Sequence, residues 1–197
     1  MWLTSTTVRL LQKTTVKTAV KAAAAPQHIQ QFFAEYPTFD YKVDAPFLKE
    51  FERLCKHMEW DSKRPEDISE DAWVEVAKRR KRAKSVAKRA LKTAMVNEFD
   101  HMYGRDANDL TSWQHLCNAL GVSRVPKRIR ACKRLVTRTH VNLVDFIQAP
   151  DPQRPVPTFP SEAALSAYTH TEGKFFPRRD INAGSLLRCL LRHIRGE

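Results

Sequence analysis

Apolar positions along this chain recur every three or four residues, the spacing of one helix face, and nowhere settle into the two-residue rhythm of a half-buried strand. Pro26 opens a short stretch of this kind, Ile29, Phe32 and Phe33, which the aromatic turn from Tyr36 to Tyr41 stops. Asp44, just ahead of Pro46, suits the cap of the next helix, in which Phe47, Phe51, Leu54, Cys55 and Met58 share a face before Trp60 ends it. Asp67 followed by Glu70 has capping-box spacing behind Pro65 and predicts a helix start. From there Trp73, Ala77, Ala83, Ala87, Leu91, Met95, Phe99 and Met102 run on without glycine or proline to Tyr103 and Gly104. A helix of about 35 residues is about 50 Å long, too long for both ends to lie over one small core. Its middle is expected to stand in solvent or to break.

Asp106 to Asp109 caps a helix carrying Leu110, Trp113, Leu116, Cys117 and Leu120, with Gly121 where a left-handed C-terminal cap is favoured. Pro126 suits the first turn of another, with Ile129, Cys132, Leu135 and Val136 inward and Lys127, Arg130, Arg134 and Arg138 opposite. A helical turn around Val141 to Ile147 follows. Four prolines between 150 and 157 then make an extended connector. Ser161 caps a helix to Thr171 that Gly173 ends, Phe175-Phe176-Pro177 turns the chain, and Leu186 to Ile194 is a last apolar helix. The expected fold is all-α, a single compact multi-helix domain of six to eight helices with one long basic helix. It divides into an N-terminal tail (1–25), a helical core (26–148), a Pro-rich connector (149–160) and a C-terminal helical segment packing on the core (161–197).

Composition narrows the class. A chain of 197 residues, 42% hydrophobic and 28% charged, can build a real core, and no run approaches the about 18 apolar residues of a membrane span. The net charge of +12 is local. Residues 1–34 hold no acid and four bases, Arg9, Lys13, Lys17 and Lys21; residues 76–92 hold nine bases and no acid. Without those thirteen the chain is close to neutral, so any statement about an anionic partner concerns these two segments. The first is amphipathic, acid-free and rich in threonine, the composition of a mitochondrial presequence, and it lacks the apolar run of a secretory signal. The second contains Lys78, Arg79, Lys81, Arg82, Lys88, Arg89 and Lys92 as candidate contacts to nucleic acid or another polyanion. It also reads as a nuclear-import signal or as a solvated helix face. The compartment thus stays open between mitochondrion and nucleus, with secretion excluded. No helix-turn-helix with a short glycine turn, zinc-finger spacing or heptad zipper points to sequence-specific DNA reading, and the run has no interleaved aromatics for stacking on single strands.

Other chemistry is sparse. Cys55, Cys117, Cys132 and Cys189 are scattered over apolar faces without a Cys-x-x-Cys, as buried reduced cysteines are. Cys189 and His193 supply half a metal site and no second half is present, so no metal and no cofactor is expected. Thr139-His140-Val141-Asn142-Leu143-Val144-Asp145 holds a His, an Asn and an Asp that would serve a Cys-His-Asn or His-Asp constellation, but such residues between helices more often cap them. No glycine-rich phosphate loop exists. Lys174, Arg178 and Arg179 flank two phenylalanines expected in the core and, folded onto Arg130 and Arg134, would extend a positive surface.

Five segments, taken together, carry a resemblance. They are Phe32-Phe33-Ala34-Glu35-Tyr36-Pro37-Thr38-Phe39; Glu50-Phe51 with Arg53-Leu54-Cys55; Tyr103-Gly104 through Ser112-Trp113-Gln114 to Leu116-Cys117; Thr139 to Asp145; and Gly173-Lys174-Phe175-Phe176-Pro177. In this order they resemble a widespread fungal family of small, uncharacterised all-α proteins, over about residues 29–195. The resemblance implies one helical unit that includes the part beyond the connector, and a fungal source; it brings no activity. Residues 76–92 and the N-terminal tail depart from the family pattern, so both charged segments look like additions to a shared scaffold. The expectation is a non-enzymatic helical module whose long basic helix contacts a polyanion, most readily a nucleic-acid backbone. The alternative is a protein-protein interaction scaffold whose basic segments serve only targeting or solubility.

Overall fold

The computed structural model describes residues 26–148, 156–177 and 184–191. The tail, most of the connector, Arg178, Arg179 and the last turn carrying His193 lie outside them. Eight helices occur among the described residues: α1 (Gln27–Ala34), α2 (Phe47–His57), α3 (Glu70–Tyr103), α4 (Leu110–Ala119), α5 (Ile129–Arg138), α6 (Leu143–Gln148), α7 (Glu162–Glu172) and α8 (Ser185–Leu191). Two bridges of two residues each, β1 (His140–Val141) and β2 (Thr158–Phe159), pair antiparallel. The fold is all-α, and this short ribbon is, among the described residues, the one departure from helix that the periodicity did not anticipate. It ties the start of α6 to the residues ahead of α7.

The core gathers around the second half of α3. Leu91, Ala94, Met95, Val96, Phe99 and Tyr103 are buried, joined by Ile29, Phe32 and Phe33 of α1, Phe47 and Leu54 of α2, Trp113 and Leu116 of α4, Val144, Phe146 and Ile147 of α6 and the four leucines of α8. Burial of about 1.5–3 kcal/mol per large side chain makes this cluster the main source of stability. α1 lies along α3, and α4 against α5. The loop after α3 receives the C-terminal helix: Ser185 Oγ accepts from the Ala107 N–H at 2.8 Å and donates to the Arg105 carbonyl at 3.1 Å. Gly184 is required there, because a β-carbon would meet the Arg105 carbonyl oxygen at 2.6 Å.

Several boundaries move from the sequence expectation. α3 is capped by Ser69, whose hydroxyl accepts from the Ala72 N–H, and not by Asp67. α2 follows Pro46 with no side-chain cap, so Asp44 does not serve, and it ends at His57. Met58 is consequently exposed, and Glu50, not expected inside, is buried at 2% exposure. The reversal after α2 puts Glu59 in the left-handed region at φ 54°, a position usually held by glycine. α5 starts at Ile129, beyond Pro126, and Leu135 is 39% exposed where an inward place was expected. Asp109, Ser161, Gly121 and Gly173 act as their types predict. The N–H groups of Gly121 and Val122 bond the carbonyls of Asn118 and Cys117, which completes a Schellman cap.

α3 does not break. It runs 34 residues, and its asymmetry is in burial: nothing from Glu70 to Val86 is fully buried, and Ala87 at 1% exposure is the first residue that is. The first half is therefore a projecting arm, held by helix propensity and by surface contacts instead of by core packing.

Candidate nucleic-acid interface

The basic run lies wholly on α3, six of its nine bases on this arm and Lys88, Arg89 and Lys92 on the half that packs on the core. Alanine at 83, 87 and 90 keeps the inward stripe narrow, so the flanking lysines and arginines have a broad outer face. At about 100° per residue, Lys78, Lys81, Arg82, Arg89 and Lys92 share an arc of about 100° directly opposite Ala87 and Leu91. Arg79 and Lys88 fall on its two flanks. From Lys78 to Lys92 the face extends about 21 Å along the helix axis.

The nine bases separate into two sets. Arg80 and Lys84 turn toward the body. The Arg80 guanidinium bonds the Glu59 carboxylate at 2.9 Å and lies 5.4 Å from the centre of the Trp73 ring. Lys84 Nζ meets Asp61 at 2.6 Å, and that carboxylate raises the lysine above its ordinary pKa of 10.5. Lys78 pairs with Glu75 at 2.8 Å, but both side chains are more than two-thirds exposed, so the pair is screened and competes weakly with any other anion. Arg79, Lys81, Arg82, Lys88, Arg89 and Lys92 have no carboxylate within ion-pair distance among the described residues, and all six are exposed. Lys78, Lys81, Arg82, Ser85, Val86 and Arg89 line a shallow depression of about 470 Å³. All seven residues expected as contacts thus stand on the outer side of α3. The sequence alone gave only a partial sign of which bases would be withdrawn, the nearness of Arg80 to the apolar stripe.

The other candidate residues are held in separate local contacts. Asn142 Oδ1 accepts from the Val144 and Asp145 N–H groups, capping α6, while its amide donates to Thr169 Oγ1 and to the Lys174 carbonyl, both at 3.0 Å. Thr139 accepts from no backbone N–H among the described residues; its hydroxyl donates back to the Leu135 carbonyl at 3.0 Å. Asp145 accepts from the Tyr168 hydroxyl at 2.9 Å and pairs with Lys174 at 2.9 Å, and Lys174 donates to the Tyr168 oxygen at 2.6 Å. These three groups satisfy one another. Burial leads the causes that raise Tyr168 above its ordinary pKa, so the phenol stays protonated at neutral pH. His140 lines a separate cavity of about 30 Å³ with Val136, Leu143, Leu165 and Leu190, a space for a water molecule and not for a substrate. His140, Asn142 and Asp145 do not converge.

Lys174 is committed to Asp145 and adds nothing to a positive surface, and Phe175, expected in the core, is 54% exposed. Cys55, Cys117 and Cys132 are buried free thiols. Burial first, and then the neighbouring Cys132, push Cys117 up to about 11, the mark of an unreactive thiol at neutral pH. No group of three or more potential metal ligands occurs among the described residues. No helix among them is long and apolar enough to cross a membrane.

Comparison with known proteins adds no likeness: no family model matches the chain, nor does any curated protein or solved structure.

Proposed function

We propose that this chain is a non-enzymatic helical module that holds a polyanion, most readily the sugar-phosphate backbone of a nucleic acid, along the outer face of α3. The observation that carries the reading is the division of the basic run: Arg80 and Lys84 are tied to Glu59 and Asp61, while Arg79, Lys81, Arg82, Lys88, Arg89 and Lys92 are left without acidic partners among the described residues. Unneutralised cations on a stiff helix cost self-repulsion, which an anionic polymer relieves while releasing its condensed counterions. The face offers long flexible charges and one guanidinium after another, with no aromatic platform, so it suits phosphates and not bases. Titration of the full chain with duplex DNA, single-stranded DNA and RNA at two salt concentrations tests this. Steep salt dependence with little sequence preference supports the reading, and absent or salt-insensitive binding removes it.

A second reading, a protein-protein interaction scaffold, has its own support. Phe33, Tyr36, Pro37, Phe39, Tyr41 and Val43 border an open groove of about 430 Å³ beside α1, on the aromatic turn. Charge reversal of α3 that leaves every co-purifying protein in place favours this scaffold over the polyanion reading. Relocation of a C-terminal fluorescent fusion on removal of residues 1–25 tests the import role of the tail.

A further inference from the structure

The basic arm carries one hydroxyl in the middle of its charges. Ser85 is exposed and borders the depression formed with Lys78, Lys81, Arg82 and Arg89. In the sequence it is preceded by Arg82 three positions back and Arg80 five back, with Lys81 and Lys84 between and beside them; no other serine or threonine of the chain has arginine at both places. We propose that Ser85 is a phosphorylation site for a basophilic protein kinase, one whose acidic substrate cleft reads arginines ahead of the serine, and that the phosphate turns off the polyanion-binding face. The second half of this inference rests on the proposed function; the first does not.

The chemistry is a phosphoryl transfer from ATP. Ser85 Oγ forms a bond to the γ-phosphorus as the bond from that phosphorus to the bridging oxygen of the β-phosphate breaks; ADP leaves, and the hydroxyl proton passes to the kinase's own base. A kinase cleft binds its substrate extended, so the helix must open around Ser85. The arm meets that requirement. Nothing from Glu70 to Val86 is fully buried, and opening from its N-terminal end gives up helix hydrogen bonds and the surface pairs of Arg80 and Lys84 but leaves the core from Leu91 to Tyr103 in place. Arg82 has no acidic partner among the described residues to surrender, and Arg80 gives up an exposed carboxylate, a contact of small worth in water.

Once the helix recloses, the phosphate sits one turn from Lys81 and Arg82 on one side and from Lys88 and Arg89 on the other, the spacing at which helix side chains pair. It adds about two negative charges and three acceptor oxygens, so it takes up cations that otherwise meet the polyanion. Losing about two phosphate contacts weakens duplex binding by about 50-fold at about 0.1 M salt and flattens the salt slope by about two.

The test incubates the full chain and its Ser85→Ala variant with ATP and a kinase selective for arginine at those two places, maps the phosphate by mass spectrometry, and titrates both forms with duplex DNA. A synthetic peptide of residues 78–90 serves as the extended control. Phosphate on Ser85, absent from the variant, together with weakened duplex binding is the expected result. Modification of the peptide but not the chain shows that the helix shields Ser85 and overturns the site; failure of both overturns the recognition. Phosphate on Ser85 with binding unchanged overturns the switch. Phosphate on Ser85 in a chain that binds no nucleic acid in either form upholds the site and overturns only the reading of the basic face.

Discussion

Replacing Arg82 and Arg89 by glutamine distinguishes a built cationic face from mere net charge. Both guanidiniums are exposed, lie within the outer arc and lack acidic partners among the described residues, and glutamine keeps helix propensity nearly unchanged. If the five cations of the arc each displace a counterion, the slope of log affinity against log salt is about −4.5, and raising salt from about 50 to 200 mM weakens duplex binding by about 500-fold. With two contacts gone the slope falls to about −2.7 and the same change costs about 40-fold. The matched control is Arg80→Gln with Lys84→Gln, which removes the same formal charge from side chains that face Glu59 and Asp61. Its slope should stay near −4.5. The assay is fluorescence anisotropy with a labelled duplex across a salt series, with circular dichroism to verify that the helix persists. If the control loses as much slope as the double variant, binding follows overall charge and the division of the basic run has no functional meaning.

Glu98, 2% exposed on α3, accepts from the His28 N–H at 2.7 Å and so caps α1 from outside; Glu98→Ala should cost about 2 kcal/mol in denaturant melts, Glu98→Gln clearly less, and a neutral alanine variant would show the cap is idle. Phe99→Ala, at a fully buried place against Tyr103, should cost about 3–5 kcal/mol by the same measurement, and a cost below about 1 kcal/mol would contradict the packing around α3. Glu59→Gly should relieve the left-handed strain at φ 54° and raise stability by about 0.5–1 kcal/mol, because the exposed pair it breaks with Arg80 is worth little; a loss of stability would mean that the pair braces the arm. Burial alone would raise Glu50, but the Lys42 N–H at 3.0 Å and the Arg53 guanidinium outweigh it and bring the carboxyl below its ordinary 4.5. A depressed carboxyl stabilises fully above its unfolded value and loses that contribution as pH falls through the lower folded value. Thermal melts from pH ~6 downward should therefore show an acid-limb loss that Glu50→Gln reduces, and identical limbs would refute the assignment.

Much of the fold follows from the sequence because its determinants are local. Three-and-four spacing of Phe47, Leu54, Trp113 or Leu116 selects a helix and its inner face whatever else surrounds it, and Asp109, Ser161, Gly121 and Gly173 meet backbone groups within a turn of themselves. The length of α3 and the confinement of surplus charge to it and to the N-terminal tail are equally a matter of the residues alone. What needed the tertiary structure is every feature whose partner is distant in the chain. Glu98 is buried because His28, seventy positions away, presents an unsatisfied N–H to it, and Asp145 is paired because α7 and the turn after it bring Tyr168 and Lys174 back. Leu135 and Phe175 have core-forming side chains that no other element among the described residues arrives to cover. The same holds for the basic run: nine similar cations stand in one segment, and only the fold of the residues between α2 and α3 brings Glu59 and Asp61 beneath Arg80 and Lys84. Charge can be counted along a chain, but whether it is neutralised depends on which carboxylates the packing carries within reach.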